Sequence, residues 1–133
     1  MGRSTEIQVS QILQKLGWET KLSPGSKGPA DMHADKNGRR WCIQVKFQGD
    51  GVRGLNWSEE SQLLMHSAKC SCKPIAAIVT RYPGGLLLNA SNVRDKKNPF
   101  VIRKKTGSFF AIEIDNNTAL FFYNLLDGKK IEP

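Results

Sequence analysis

The sequence predicts an α/β fold in which a mixed central β-sheet is flanked by helices. Three observations predict it: apolar residues at three- and four-residue steps near the N-terminus, an Asn37-Gly38 hairpin signal between two short runs, and a continuous apolar run from Ile75 to Thr80. A length of 133 residues suits one compact domain spanning 1–133, large enough to bury about two thirds of its unfolded surface. Lysine and arginine number 20 against 12 acids, and the net charge of +8 favours a polyanionic partner such as nucleic acid over an acidic small molecule. Three cysteines without framework spacing, no signal peptide and no apolar run of about 18 residues point to a reduced, cytoplasmic chain with no membrane role.

The first helix is expected from Ser4 to Leu16, with Val9, Ile12, Leu13 and Leu16 as its apolar stripe and Gly17 ending it. At about 100° per residue, Glu6 falls on the edge of that stripe rather than on the solvated back. The helix dipole favours a first-turn glutamate without any chemistry; a place in a functional site is the alternative. Trp18 to Leu22 has strand character, and positions 23–29 are rich in turn formers. Ser26, Lys27 and the glycine amides of that loop can hold a phosphate, but the order of residues in an ATP-binding loop is absent, so no nucleotide cofactor is expected.

Gly25 to Phe47 then sets an acid, Asp31, on one short strand and a Gln44-x-Lys46 pair on the next. Trp41, Ile43, Val45 and Phe47 alternate with Arg40, Cys42, Gln44 and Lys46, so a period of two gives Gln44 and Lys46 a common face. Folding back at Asn37-Gly38 brings Asp31 beside them. The glycine-rich stretch from Gln48 to Asn56 is long enough for a mobile arm carrying Arg53 across a groove. A second helix is signalled by Ser58 as N-cap with Glu59 and Glu60 in its first turn, and continues through Leu63, Leu64, Met65 and Ala68. Pro74 is expected to break the chain before the Ile75–Thr80 strand. Further strand candidates are Leu86 to Leu88, Phe100 to Arg103, Phe109 to Ile114 and Ala119 to Leu125. The basic clusters around Arg94 and Arg103 suit solvation slightly better than phosphate contact.

A hard divalent cation prefers oxygen ligands and is usually held by one or two carboxylates plus substrate phosphate. Asp31 supplies a carboxylate, the Gln44 side-chain carbonyl and the Val45 backbone carbonyl supply neutral oxygens, and Glu6 adds a ligand directly or through water. Lys46 is suited to orient a water or offset charge on phosphoryl oxygens. Together they outline phosphodiester hydrolysis with magnesium, manganese being the natural substitute. The competing reading of Asp31 and Lys46 is a plain salt bridge across two strands.

The order of parts (helix with an inward acid, loop, acid, hairpin, strand with x-Lys, helix, buried strand) resembles the PD-(D/E)xK nuclease superfamily. Within it, Gly2 to Thr80 looks like the archaeal-type Holliday junction resolvases, with Glu6, Trp18, the Gly25-Ser26-Lys27 loop, Asp31 and Lys46 matching the family's motif positions. The resemblance implies a restriction-endonuclease-like fold and a homodimer that resolves four-way DNA junctions by paired symmetric nicks. It also implies a DNA-contacting set, here Arg3, Ser26, Lys27, Arg53 and Lys69. Two positions depart from the family: Gln44 replaces a glutamate, and Ile7 stands where a basic residue usually follows the helix acid. Gln-x-Lys occurs in other branches, including Mrr-like restriction nucleases. Cleavage of linear, flapped or modified DNA, or a non-catalytic DNA-binding module, are therefore the alternatives. His66, Cys70 and Cys72 invite a zinc reading, disfavoured because four ligands are normally needed and Cys42 is the one thiol left; His33, two residues past Asp31, is expected to be a satisfied polar neighbour.

Overall fold

The computed structural model describes residues 2–26, 28–48 and 55–133, Ser26 by its backbone alone. The chain runs α1 (Gly2–Lys15), β1 (Glu19–Leu22), β2 (Met32–Lys36), β3 (Arg39–Gln48), α2 (Trp57–Cys70), β4 (Lys73–Arg81), β5 (Asn92–Arg94), β6 (Val101–Lys104), β7 (Phe109–Asp115), β8 (Thr118–Asn124) and β9 (Lys129–Lys130). These strands form one sheet in the order β1-β2-β3-β4-β8-β7-β6-β5, with β9 beside β8. The β3 and β4 strands are parallel because α2 carries the chain back between them, and the other pairs are antiparallel. The result is the mixed, helix-flanked sheet that the sequence predicts.

Local chemistry sets the frame of the site. Asn37 (φ 49°) and Gly38 (φ 82°) both take left-handed backbone, as a tight hairpin between β2 and β3 requires. The register it fixes pairs Met32 with Ile43 and Ala34 with Trp41. Alternation then turns Trp41, Ile43 and Val45 toward one face, where they meet Met32, Ala34, Ile75, Ala77, Leu120 and Phe122 under Val9 and Leu13 of α1. Val9 and Leu13 are fully buried, each worth about 2 kcal/mol, so α1 is held in one rotation about its axis. On the opposite face Leu63 of α2 packs on Ala30 and Cys42, with Leu55, Cys72 and Leu125 at the margins. A third cluster, Leu86, Ile102, Ala111 and Ala119 with Tyr82, Phe110 and Phe121, supports the C-terminal meander.

Several expectations are corrected. Asp31 lies one residue ahead of β2 rather than on it. Asn56, not Ser58, caps α2: its side chain accepts the Glu59 N–H at 2.9 Å while the Glu59 carboxylate accepts the Asn56 N–H at 3.1 Å, a reciprocal pair that Ser58 does not have. Pro74 sits inside β4 instead of breaking the chain, near the strand's start where a missing N–H costs least. Leu86 to Leu88 form a 3-10 turn, burying Leu86 and exposing Leu88, since three consecutive leucines carry no period of two. The short β5 and β9 have no clear sequence signal.

Candidate active site

Asp31 stands where β2 has not yet begun. Its N–H donates to the Ile43 carbonyl and its carbonyl accepts the Ser23 N–H, both at 2.8 Å, so its backbone is pinned on two sides. The side chain then turns along β3, and Oδ2 accepts the Val45 N–H at 2.8 Å. The carboxylate thereby serves a backbone donor that lies beyond the paired end of β2. Asp31 is 4% exposed. Burial pushes its pKa up to about 6 against the Val45 hydrogen bond, and the nearby Glu6 and Glu59 carboxylates add to the rise.

Glu6 reaches this point from α1. It is 3% exposed, so the inward direction inferred from the helical period is the one adopted. Its Oε1 accepts from Arg3 Nη1 at 3.2 Å, and its carboxylate lies near enough to Asp31 to raise the Asp31 pKa. Arg3 also donates through Nη2 to the Ser23 carbonyl at 2.8 Å, tying the start of α1 to the loop that delivers Asp31. The base expected beside the helix acid, absent at position 7, is thus supplied from three residues upstream, one helical turn away.

Gln44 and Lys46 share the opposite face of β3 from Ile43 and Val45, both half-buried. Lys46 Nζ lies 3.1 and 3.0 Å from the two Glu59 oxygens. The lysine's carboxylate partner is therefore Glu59 on α2, and the cross-strand Asp31–Lys46 salt bridge is not what forms among the described residues. Although desolvation raises it, the Glu59 carboxyl is held below its ordinary value by the Asn56 N–H and the Lys46 ammonium. Glu59 is the residue that sequence reasoning missed. Its signal was the Asn56-x-x-Glu59 spacing, which fixes the rotation of α2's first turn.

Of the expected DNA-contacting set, Arg3 is half-buried and engaged with Glu6, and Lys69 is exposed in the last turn of α2. The backbone of Ser26 closes the short turn Pro24–Ser26, where Gly25 (φ 60°) supplies the left-handed residue. Lys27 and Arg53 lie outside the described residues. The downstream arginines are committed elsewhere: Arg94 pairs with Glu113 at 2.6 Å, and Arg103 with Asp95 at 2.9 Å and Glu132 at 2.7 Å.

The arrangement brings two buried acids near one another, with an amide and a lysine on the adjacent strand. Burial and the neighbouring carboxylates make ionisation of Asp31 costly. The donors present, carboxylate, amide carbonyl and backbone carbonyl, are all hard oxygens, the kind that could hold a small divalent cation.

Topology and site together define an α/β fold of the restriction-endonuclease-like, resolvase-like type. Among solved structures the chain is similar to Hjc, a Holliday junction resolvase from the archaeal hyperthermophile Archaeoglobus fulgidus, at a TM-score of 0.53 and 21% identity over 58% of this chain and 67% of that one. No protein-family model and no curated protein sequence matches the chain. At that identity the likeness is one of fold.

Proposed function

We propose that the protein is a metal-dependent endodeoxyribonuclease that resolves four-way DNA junctions as a homodimer. The observation that carries this reading is the convergence of buried Glu6 and Asp31 beside the Gln44-x-Lys46 strand, on a fold shared with a resolvase. Charge supports it: a net +8 suits recognition of the DNA backbone by shape and phosphate contact, with steep salt dependence and little base preference.

In this reading Asp31, Glu6, the Gln44 side-chain carbonyl and the Val45 backbone carbonyl hold magnesium. When bound, the ion supplies Lewis-acid polarisation of the scissile phosphate and lowers the pKa of a water. Asp31 Oδ2 is fixed by the Val45 N–H, so the carboxylate is already oriented along β3. Lys46, released from or shared with Glu59, orients the attacking water and offsets charge developing on the phosphoryl oxygens. Arg3 keeps Glu6 turned inward. Lys27, Ser26, Arg53 and Lys69 meet the DNA backbone, and the two subunits nick opposed strands.

A second reading, a nuclease acting on linear or flapped duplex, is favoured by one residue. Gln44 gives a neutral ligand where the resolvases usually have a charged one, which lowers cation affinity and matches other branches of the superfamily. Cleavage of an immobile four-way junction and of linear duplex in one reaction, with magnesium, separates the two. The resolvase reading expects paired nicks in the junction and little attack on duplex. Equal attack on both would move the protein to the second reading, and cleavage that persists in Asp31→Asn and Lys46→Ala would remove the site assignment.

A further inference from the structure

Away from the two acids, on the α2 face of the sheet, four soft or borderline donors converge. His33 lies on β2, His66 and Cys70 in the last turns of α2, and Cys72 two residues beyond Cys70. The His33, Cys70 and Cys72 ligand atoms all lie within 4.8 Å of one another. His66 adjoins two of these three: its Nε2 is 2.8 Å from His33 Nε2 and 3.5 Å from Cys70 Sγ. Each element contributes for its own reason. His66 and Cys70 are four apart and so share one side of the helix. Ser71 caps α2 in left-handed backbone (φ 54°), a costly conformation for a residue with a Cβ, and the turn it makes carries Cys72 back beside Cys70. His33 is opposite Cys42 in the β2–β3 register, on the face that α2 covers.

We propose that His33, His66, Cys70 and Cys72 form a zinc site of the Cys2His2 type. A tetrahedral zinc ion with N and S ligands at about 2.1 and 2.3 Å sets neighbouring N and S donors roughly 3.6 Å apart and two N donors about 3.4 Å apart. The Cys70–His66 separation of 3.5 Å already matches such an edge. The His33–His66 separation of 2.8 Å has to open by roughly half an ångström, within reach of a small ring rotation. All four side chains are half-buried, shielded yet reachable by an ion. Two thiolates and two neutral imidazoles balance a divalent charge, and this donor set selects zinc over magnesium. Cys42, fully buried with its thiol on the Lys73 carbonyl at 3.6 Å, stays outside the set. The ion clamps the end of α2 to β2, the strand that starts after Asp31, while the start of α2 holds Glu59. The site is structural, and it stands whether or not the protein cleaves DNA.

The test uses the full chain reconstituted with zinc and then dialysed, with metal counted by mass spectrometry and a parallel sample titrated with cobalt. About one zinc per chain is expected, together with the intense thiolate-to-cobalt charge-transfer band and visible bands of tetrahedral cobalt. His66→Ala and Cys70→Ser should lose at least about ten-fold in zinc affinity, whereas Asp31→Asn and Cys42→Ala should retain the ion. Removing zinc from the wild type should lower Tm by about 5 °C or more. Because the cobalt spectrum is read on the wild type, it decides the matter even where a variant fails to fold. Zinc below a tenth of an equivalent without cobalt–thiolate absorption overturns the proposal, as does a Cys70–Cys72 or Cys42–Cys72 disulfide that forms equally well with zinc present.

Discussion

Asp31 and His33 are two residues apart and belong to environments of opposite chemical character. Asp31 is 4% exposed and lies near the Glu6 carboxylate; His33 is half-buried and meets an imidazole and two thiols. One short segment thus divides a hard donor set from a soft one, and α2 spans both, with Glu59 at its start and His66, Cys70 and Cys72 at its end. The difference teaches how a small α/β domain can set donors of opposite character close together along one segment: were both proposed ions bound, the hardness of the donors would keep them from competing.

The largest effects should appear at the hard set. Asp31→Asn and Lys46→Ala are expected to lower magnesium-dependent cleavage of branched DNA by at least about 100-fold while leaving DNA binding within a few-fold, read by cleavage and gel-shift assays on the same samples. Equal losses of binding and cleavage would blur the contrast between reactive acids and DNA-contacting cations.

The same residue predicts a stability effect of opposite sign. The folded chain keeps the Asp31 proton up to about pH 6, whereas the unfolded chain gives it up near 3.8. Between those values the folded state binds more protons, so metal-free stability falls as pH rises through the window, by roughly 3 kcal/mol in all. In chelator, Asp31→Asn should therefore be more stable than wild type at pH 7, by roughly 3 kcal/mol, and should show no such slope in denaturant titrations. Added magnesium should reverse the order by stabilising only the wild type. A wild type more stable than Asp31→Asn in chelator at pH 7 would mean that the carboxylate is not under strain.

Glu59→Gln tests the bridge between the two environments. It removes the charge that holds Lys46 and weakens the capping box, so a loss of about 1 kcal/mol is expected in thermal unfolding, with cleavage altered less than ten-fold. The zinc content should be unchanged. At the other end of the scale, Glu113→Gln breaks an exposed pair with Arg94 and should shift stability by less than about 1 kcal/mol, with no effect on either metal.

How much of this was legible in the sequence follows from which interactions are local. Asn37-Gly38 dictates its own turn, and the alternation of Trp41, Ile43 and Val45 with Gln44 and Lys46 fixes which side chains share a face. Those two facts bring Asp31 alongside the Ile43–Val45 stretch of β3, and helical periodicity alone turns Glu6 inward. What was missed depends on contacts between elements far apart in the chain. The Lys46–Glu59 pair needs the rotation of α2, set by Asn56 rather than the equally plausible Ser58. The fourth donor beside His66, Cys70 and Cys72 is His33, 33 residues before His66, and no spacing motif joins a strand histidine to a helix end. Pro74 misled because a proline's cost depends on where in the strand it falls, and Leu86 to Leu88 because an apolar run carries no period.

The most direct test of the central claim is cleavage of an immobile four-way junction by the zinc-loaded protein, with and without magnesium, by wild type and by Lys46→Ala. The account predicts paired nicks from the wild type only when magnesium is added, and binding without cleavage by Lys46→Ala. Wild-type cleavage without magnesium, or undiminished cleavage by Lys46→Ala, would contradict it.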